Sequence, residues 1–140
     1  MYIDEPLKKY LDETASGSPT PGGGSVAALA GALGAALTGM VCNFTVGREK
    51  YKDVEGEVKQ ILSEAEELRS KLLDLMVADT QVYGQVSAAY GMPRGTEEEK
   101  KARSEAIQSA LKEAMQVPFE VAVCCHKILK LNKPLVEKGN

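Results

Sequence analysis

Apolar residues recur in steps of four and three through the middle of the chain. The series is Val54, Val58, Ile61, Ala65, Leu68, Leu72, Leu75, Val82, Val86 and Ala89. This spacing places them along one side of an α-helix of about 35 residues, in the narrow seam that long packed helices bury. The seam position between Leu75 and Val82 is Asp79. The series therefore predicts a long helix with one acid where packing requires an apolar side chain.

Residues 25–46 contain no charged side chain and are long enough to cross a bilayer. Because Ala and Gly dominate this segment and long amphipathic segments follow it, we interpret it as a buried helix of a soluble bundle. One face of this helix carries small residues four positions apart, namely Ala27, Gly31, Ala35 and Gly39. This spacing predicts that the backbone of another helix packs closely against it.

Two further helices are predicted at the ends of the chain. A short amphipathic helix ending near Thr14 is indicated by Ile3, Leu7, Tyr10 and Leu11. Thr96 to Glu99 has the form of a capping box and starts another helix, whose face is marked by Ala102, Ala106, Ala110, Ala114, Val117 and Val121. We expect Pro118 to kink that helix or to begin a new segment, and Asn132-Lys133-Pro134 to interrupt it. The fold class is therefore all-α, a bundle of long helices forming one domain over residues 1–140.

Composition narrows the possible partners and the compartment. The 20 acidic and 17 basic residues give a net charge of -3, so neither nucleic acid nor an anionic membrane is indicated as a partner. Cys42 and the adjacent Cys124 and Cys125 indicate a reduced, cytoplasmic protein. His126 lies beside two cysteines, but neighbouring positions on a helix diverge, so we predict no metal site.

The loop before the uncharged helix is the first candidate site, with Pro21, Gly22, Gly23, Gly24 and Ser25. Glycines let a ligand approach the backbone, and the free N–H groups at the start of a helix attract negative charge. The alternative is a flexible loop followed by Ser25 as a helix cap. The spacing matches neither phosphate-binding fingerprint, so nucleotide binding is not indicated.

Asp79 is the second candidate, because a carboxylate that loses hydration on an apolar seam is suited to proton transfer. The structural alternative is a residue that sets helix register, or an acid paired with a lysine or arginine of another helix. The segment after the uncharged helix carries Arg48, Lys50 and Tyr51. Its cations are able to hold a carboxylate-bearing ligand, or they form a solvated helix end.

Taken in order, these blocks resemble the formiminotransferase-cyclodeaminase family, from Leu11 to Asn140. The resemblance rests on Pro19–Ala28, Gly31–Leu37, Thr45–Tyr51, Asp79 with Tyr83, Glu97–Arg103, and Val117–Pro118. It implies an all-helical homodimer with its active site near the subunit interface. It also implies a tetrahydrofolate derivative as substrate and no permanently bound cofactor.

The same resemblance assigns roles to the candidate residues. The catalytic aspartate of the family maps onto Asp79, although Val77 stands where the family often has a second Asp. The loop from Pro21 to Ser25 is expected to position the folate, and the residues expected to bind its glutamate tail or other parts are Arg48, Lys50, Tyr51 and Arg103. Members of the family continue with further helices beyond the position of Asn140, so this chain is expected to lack them.

Three functions are compatible with these residues. The resemblance implies cyclodeamination of 5-formiminotetrahydrofolate to 5,10-methenyltetrahydrofolate and ammonia. The first alternative is hydrolysis of 5,10-methenyltetrahydrofolate, with the same carboxylate activating water. The second is a non-catalytic helical dimerisation module, since long apolar seams also serve that purpose.

Overall fold

A computed structural model describes residues 2–140. Its α-helices are α1 (Leu7–Thr14), α2 (Gly23–Thr45), α3 (Glu55–Tyr90) and α4 (Glu97–Lys138). Short 3-10 helices span Tyr2–Asp4 and Glu49–Val54. No strand occurs within residues 2–140, and the predicted all-α class is confirmed.

The periodic seam lies on α3 as the sequence predicts. The helix has 36 residues, and its buried seam positions are Val58, Ile61, Ala65, Leu72 and Ala89. The Thr96 hydroxyl accepts from the Glu99 N–H, and the Glu99 carboxylate accepts from the Thr96 N–H. The predicted capping box at the start of α4 is therefore present.

The three long helices alternate in direction. Ser25 at the start of α2 bonds to Met76 late in α3, so these two helices are antiparallel. The ion pairs Lys71–Glu120 and Glu57–Lys138 show the same relation between α3 and α4. Consequently α2 and α4 run parallel, and Thr38 of α2 donates to the Asn132 side chain of α4 at 2.9 Å.

The three helices differ in length, which creates an exposed apolar surface at one end. The 23 residues of α2 begin level with Met76 and Asp79, whereas α3 and α4 have 36 and 42 residues. Beyond Asp79, therefore, α3 and α4 pack on each other without α2. Seam residues Val82 and Val86 lie in this two-helix part and are only partly buried.

Neither proline breaks α4. The helix is continuous from Glu97 to Lys138 through Pro118 and Pro134, so the expected new segment at Pro118 and the interruption at 132–134 are wrong. Each proline removes one backbone donor from the helix. Buried neighbours on the core face hold the helix on both sides of Pro118, and Leu135 does so next to Pro134.

The uncharged helix is covered on one face rather than all round. By length and composition α2 would be able to cross a membrane, but Ala28, Ala32 and Ala35 are buried against the bundle. The opposite face exposes five large apolar side chains, namely Val26, Leu33, Leu37, Met40 and Phe44. The predicted buried helix is thus correct for one side only, and Ala27 of the predicted close-contact face is exposed.

At Gly31, α2 packs tightly against both α3 and α4. A β-carbon there would lie 2.8 Å from Cys125 Sγ and 3.2 Å from a methyl group of the buried Leu72. We predict that Gly31→Ala lowers the free energy of unfolding by about 1–2 kcal/mol, because overpacking outweighs the better helix propensity of alanine. Urea unfolding measures the change.

Gly84 supplies the matched control, because it lies inside α3 and an added methyl group would meet only open space. Gly84→Ala should raise the free energy of unfolding by up to about 1 kcal/mol. If Gly31→Ala and Gly84→Ala had the same free energy of unfolding, α2 would not be closely packed at Gly31.

Candidate active site

The Asp79 carboxylate lies against the first turn of α2. Its Oδ2 accepts a hydrogen bond of 2.9 Å from the backbone N–H of Ser25. The N-cap of α2 is Gly22, which has no side chain to cap the helix. Asp79 of α3 therefore serves as the cap, with its negative charge at the positive end of the α2 dipole.

Ser25 does not cap the helix, so the expected Ser25 cap is wrong. The residue is the third of α2 and is buried. Its hydroxyl donates to the Met76 carbonyl at 3.1 Å and bonds to the Tyr10 hydroxyl at 2.9 Å. Ser25 thus joins α2 to α3 through both its backbone and its side chain.

The position of the Asp79 side chain requires glycine at position 24. A β-carbon on Gly24 would overlap with Oδ1 and lie 2.8 Å from Cγ of the Asp79 carboxylate. At Gly22 the corresponding distance to Oδ2 is an ordinary 3.5 Å, and at Gly23 the space is open. The glycine run therefore gives the carboxylate close access to the backbone of α2.

A cleft of about 380 Å³ opens beside this carboxylate, a size typical of small-molecule sites. One wall is the polar loop, formed by Pro19, Thr20, Gly22, Gly23 and Gly24. The other wall is the uncovered part of the α3–α4 pair, formed by Val82, Tyr83, Val86, Leu111 and Ala114. Asp79 lies where the walls meet, so a ligand would contact an acid, free backbone groups and an apolar surface together.

No salt bridge to Asp79 is found within residues 2–140, so the described part of the chain does not pair this acid with a cation. Its established partner there is the Ser25 N–H. The carboxylate is partly buried and lines the cleft. It therefore anchors the start of α2 and is open to a ligand in the cleft.

The cysteines and His126 do not contribute to this cleft. Burial raises the pKa of the Cys42 and Cys124 thiols, which disfavours the reactive thiolate. Over residues 2–140, no three His, Cys, Asp or Glu side chains are grouped as a metal site would need.

The structure brings some of the predicted site residues together and separates others. Asp79, Gly22, Gly23 and Gly24 line the cleft and Ser25 holds the acid, whereas Pro21 is buried and does not line the cleft. The segment with Arg48, Lys50 and Tyr51 follows the far end of α2, about 34 Å from its start. Within one chain, these three residues do not reach Asp79.

Arg103 is also held away from the acid. Its guanidinium donates to the Tyr90 carbonyl at 3.1 Å and lies over the Tyr90 ring. Tyr90 is the last residue of α3, about 16 Å beyond Asp79. In this position Arg103 caps α3 and stands at the outer end of the α3–α4 pair.

The apolar wall of the cleft is the part of the site that the sequence patterns do not identify. Val82, Val86 and Ala114 fit the core periodicity, which indicates packing, and no pattern singles out Leu111. The helix lengths would have indicated this wall. Residues 25–46 are too few to cover the whole of α3, which has 36 residues. Tyr83 enters only through the family resemblance, although its side chain is 44% exposed inside the cleft.

Together, the fold and site define a helical-bundle domain with a carboxylate held at a glycine-rich helix start inside a ligand-sized cleft. Residues 6–140 match the family model described as formiminotransferase-cyclodeaminase, and the chain belongs to that family. The resemblance inferred from the sequence is thereby confirmed.

Named relatives show how much of the family is covered. The chain is 45% identical over 140 residues to a methenyltetrahydrofolate cyclohydrolase of Methylorubrum extorquens, covering 100% of this chain and 67% of that protein. It is 31% identical over 138 residues to formimidoyltransferase-cyclodeaminase of Rattus norvegicus, covering 99% of this chain and 26% of the relative.

The fold is shared with a solved structure as well. The crystal structure of formiminotetrahydrofolate cyclodeaminase from Thermotoga maritima matches with a TM-score of 0.86 and 36% identity. The match covers 100% of this chain and 66% of that one. The chain thus spans about two thirds of these bacterial relatives and about a quarter of the rat protein.

The contact between Gly24 and Asp79 can be measured by a double-mutant cycle. Gly24→Ala should destabilise the protein by about 1–3 kcal/mol, because the methyl group displaces the carboxylate and leaves the start of α2 uncapped. In an Asp79→Ala background the same change should cost much less, since the clash is gone. Chemical unfolding of the four proteins gives the coupling energy.

Gly23→Ala is the control for helix propensity and loop stiffness, because nothing lies within 4 Å of the place its methyl group would take. It should change stability by no more than about 0.5 kcal/mol. If Gly24→Ala lowered the free energy of unfolding equally in the parent and in the Asp79→Ala background, the carboxylate would not lie against Gly24.

Proposed function

We propose that the chain is a folate one-carbon enzyme that converts 5-formiminotetrahydrofolate to 5,10-methenyltetrahydrofolate and ammonia. The observation that carries the proposal is the Asp79 carboxylate, held by the Ser25 N–H at the junction of a polar and an apolar cleft wall. Family membership supports folate as the substrate class.

In the proposed reaction, N10 of the folate attacks the carbon of the protonated formimino group and forms a tetrahedral intermediate. The proton of N10 must then reach the departing amine, because ammonia leaves only when it is protonated. Asp79 accepts the first proton and returns it to the leaving amine, so one carboxylate serves as base and then as acid. The C–N bond to ammonia breaks and the methenyl cation remains next to a negative charge.

The two cleft walls suit different parts of a folate. The flat pteridine ring is proposed to lie against Val82, Val86 and Leu111, with Tyr83 offering an aromatic face. The loop from Pro21 to Ser25 bounds the opposite side and brings its backbone close to the one-carbon unit. This arrangement places the reacting carbon near Asp79 and the ring away from water.

Hydrolysis of 5,10-methenyltetrahydrofolate is the second candidate. It is favoured by the 45% identity to a protein named methenyltetrahydrofolate cyclohydrolase. In this reaction Asp79 would activate a water molecule that attacks the methenyl carbon. The same cleft and the same acid serve both reactions, which differ in the nucleophile.

One assay separates the candidates. Purified protein is given 5-formiminotetrahydrofolate or 5,10-methenyltetrahydrofolate in separate experiments, and the methenyl absorbance is followed. A deaminase makes the methenyl absorbance rise with the formimino substrate. A hydrolase makes it fall with the methenyl substrate, faster than it falls without enzyme. Asp79→Asn should reduce the active reaction by about a hundredfold or more, because general acid–base catalysis typically contributes that much.

Gly84→Ala serves as the matched control and should leave the rate close to that of the parent protein, because Gly84 does not line the cleft and an added methyl group meets only open space. If the protein neither bound nor converted either folate, the enzyme proposal would be wrong and the chain would be a dimerisation module. If Asp79→Asn kept the turnover rate of the parent protein, Asp79 would not be the catalytic acid–base.

We also propose that the protein is a homodimer, with the exposed face of α2 as the interface. We name this face the α2 stripe, formed by Val26, Ala30, Leu33, Leu37, Met40 and Phe44. Its positions alternate in steps of four and three, the spacing of a helix-packing seam. Five large side chains, among them Leu33 at 59% and Phe44 at 52% exposure, are uncovered in one chain.

An antiparallel second copy would make this stripe self-complementary about a two-fold axis near its centre. It would also bring the end of one α2 towards the start of the other. Arg48 and Lys50 of the partner subunit would then approach the cleft that contains Asp79. In that arrangement these cations would bind the folate glutamate tail, although within a single chain they do not reach the cleft.

Mixing of inactive variants tests the shared site. Asp79→Asn and the double variant Arg48→Ala/Lys50→Ala should each be inactive or strongly impaired. After unfolding and refolding together, they should recover about a quarter of parent activity, because half the dimers are mixed and one of their two sites is intact.

The control mixture combines Asp79→Asn with Gly24→Ala, which damage the same half of the site and should restore nothing. Absence of recovery in the first mixture, with a dimer present by light scattering, would assign both halves of the site to one chain. A monomer under assay conditions would also contradict the shared site.

The remaining properties follow from this function. We propose a cytoplasmic protein, supported by three free cysteines. A tetrahydrofolate derivative would be its substrate, with no permanently bound cofactor and no nucleic acid or membrane as partner. Residues 1–140 would form a single cyclodeaminase domain, which in the relatives is followed or preceded by further chain.

A further inference from the structure

Tyr10 is the one buried residue of α1, with 2% of its surface exposed. Leu7 and Leu11 of the same helix are exposed. The Tyr10 ring packs edge-on against Tyr2, with ring centres 5.3 Å apart. Its hydroxyl reaches the hydroxyl of Ser25 at 2.9 Å, within the core rather than at its edge.

The direction of this hydrogen bond follows from counting protons. Ser25 Oγ carries one hydrogen, and it is donated to the Met76 carbonyl, which can only accept. The hydrogen between the two hydroxyl groups must therefore come from Tyr10. Ser25 thus accepts from α1, donates its side-chain hydrogen to α3, and donates its backbone N–H to Asp79.

Met76 and Asp79 lie one turn apart on α3, so Ser25 holds that helix at two successive points. A shift of Ser25 would move the N–H that orients the Asp79 carboxylate. The Tyr10 hydroxyl holds Ser25 through a third hydrogen bond, which comes from α1. This sequence of bonds connects a residue outside the cleft to the acid inside it.

We propose that Tyr10 is a positioning residue, which orients the Asp79 carboxylate through Ser25. The inference rests on the proposed catalytic role of Asp79 for its kinetic consequences. Its structural part, the coupling of Tyr10 to the Ser25 N–H, stands separately and has its own measurement.

Tyr10→Phe keeps the ring and removes the donor. We expect kcat to fall about three- to tenfold while KM stays within about twofold, because substrate contacts are retained and the base is less well oriented. Ser25→Ala should reduce kcat at least as much. Adding Tyr10→Phe to Ser25→Ala should cause no further loss, since the connection is already broken.

Tyr90→Phe is the matched control, because this tyrosine is exposed at the far end of α3. It should change neither kcat nor KM. If Tyr10→Phe lowered the melting temperature but left kcat unchanged, Tyr10 would only attach α1 to the bundle. Equal additional losses in the parent and Ser25→Ala backgrounds would also overturn the proposal.

Hydrogen exchange of the Ser25 amide provides the readout that does not depend on activity. It should be faster in Tyr10→Phe than in the parent protein and unchanged in Tyr90→Phe. Faster exchange in a protein that does not turn over folates would support the coupling and contradict the proposed function. Unchanged exchange would contradict the coupling itself.

Discussion

The contact between the Asp79 carboxylate and the first turn of α2 is the constraint on which the rest of the structure depends. It fixes the height at which α2 begins along α3, because the Ser25 N–H and the carboxylate must meet. It requires glycine at position 24, since any β-carbon would overlap the acid. It also determines where the bundle changes from three helices to two, and hence where the cleft opens.

The structural and the functional interpretations of Asp79 are compatible. An isolated acid on a packed seam costs stability unless its charge is satisfied. Here a helix start provides a hydrogen bond and a favourable dipole, and the acid in return caps a helix whose N-cap is glycine. The same residue therefore stabilises the fold while it lines the cleft. This dual role explains how a polar group persists in a seam otherwise built from apolar side chains.

Much of the fold is predictable from the sequence, because long periodic segments constrain helices strongly. The capping box of α4 is as predicted, and so is the buried seam of α3 from Val58 to Leu72, beyond which Met76 is buried and the predicted Leu75 is partly exposed. The expected new segment at Pro118 and the expected interruption at 132–134 are wrong, since local propensity does not include the packing that holds the helix on either side of these prolines. For the site, the spacing isolates Asp79 and the glycine run, but it does not show that they meet. The sequence places Tyr10 only in an amphipathic pattern, and its bond to Ser25, fifteen positions away, is a tertiary contact that no local pattern encodes.

The change from three helices to two has a consequence for motion. Local stability in proteins follows the density of buried apolar contacts, and the outer α3–α4 pair lacks the contacts that α2 supplies elsewhere. We therefore expect this pair to open locally more readily than the three-helix part of the bundle, and the cleft lies at the border between the two parts. In the proposed function, a flat ligand that covers Val82, Val86 and Leu111 would take the place that α2 occupies in the rest of the bundle. Binding would then complete the hydrophobic core, and the energy of folding and the energy of recognition would come from the same surface.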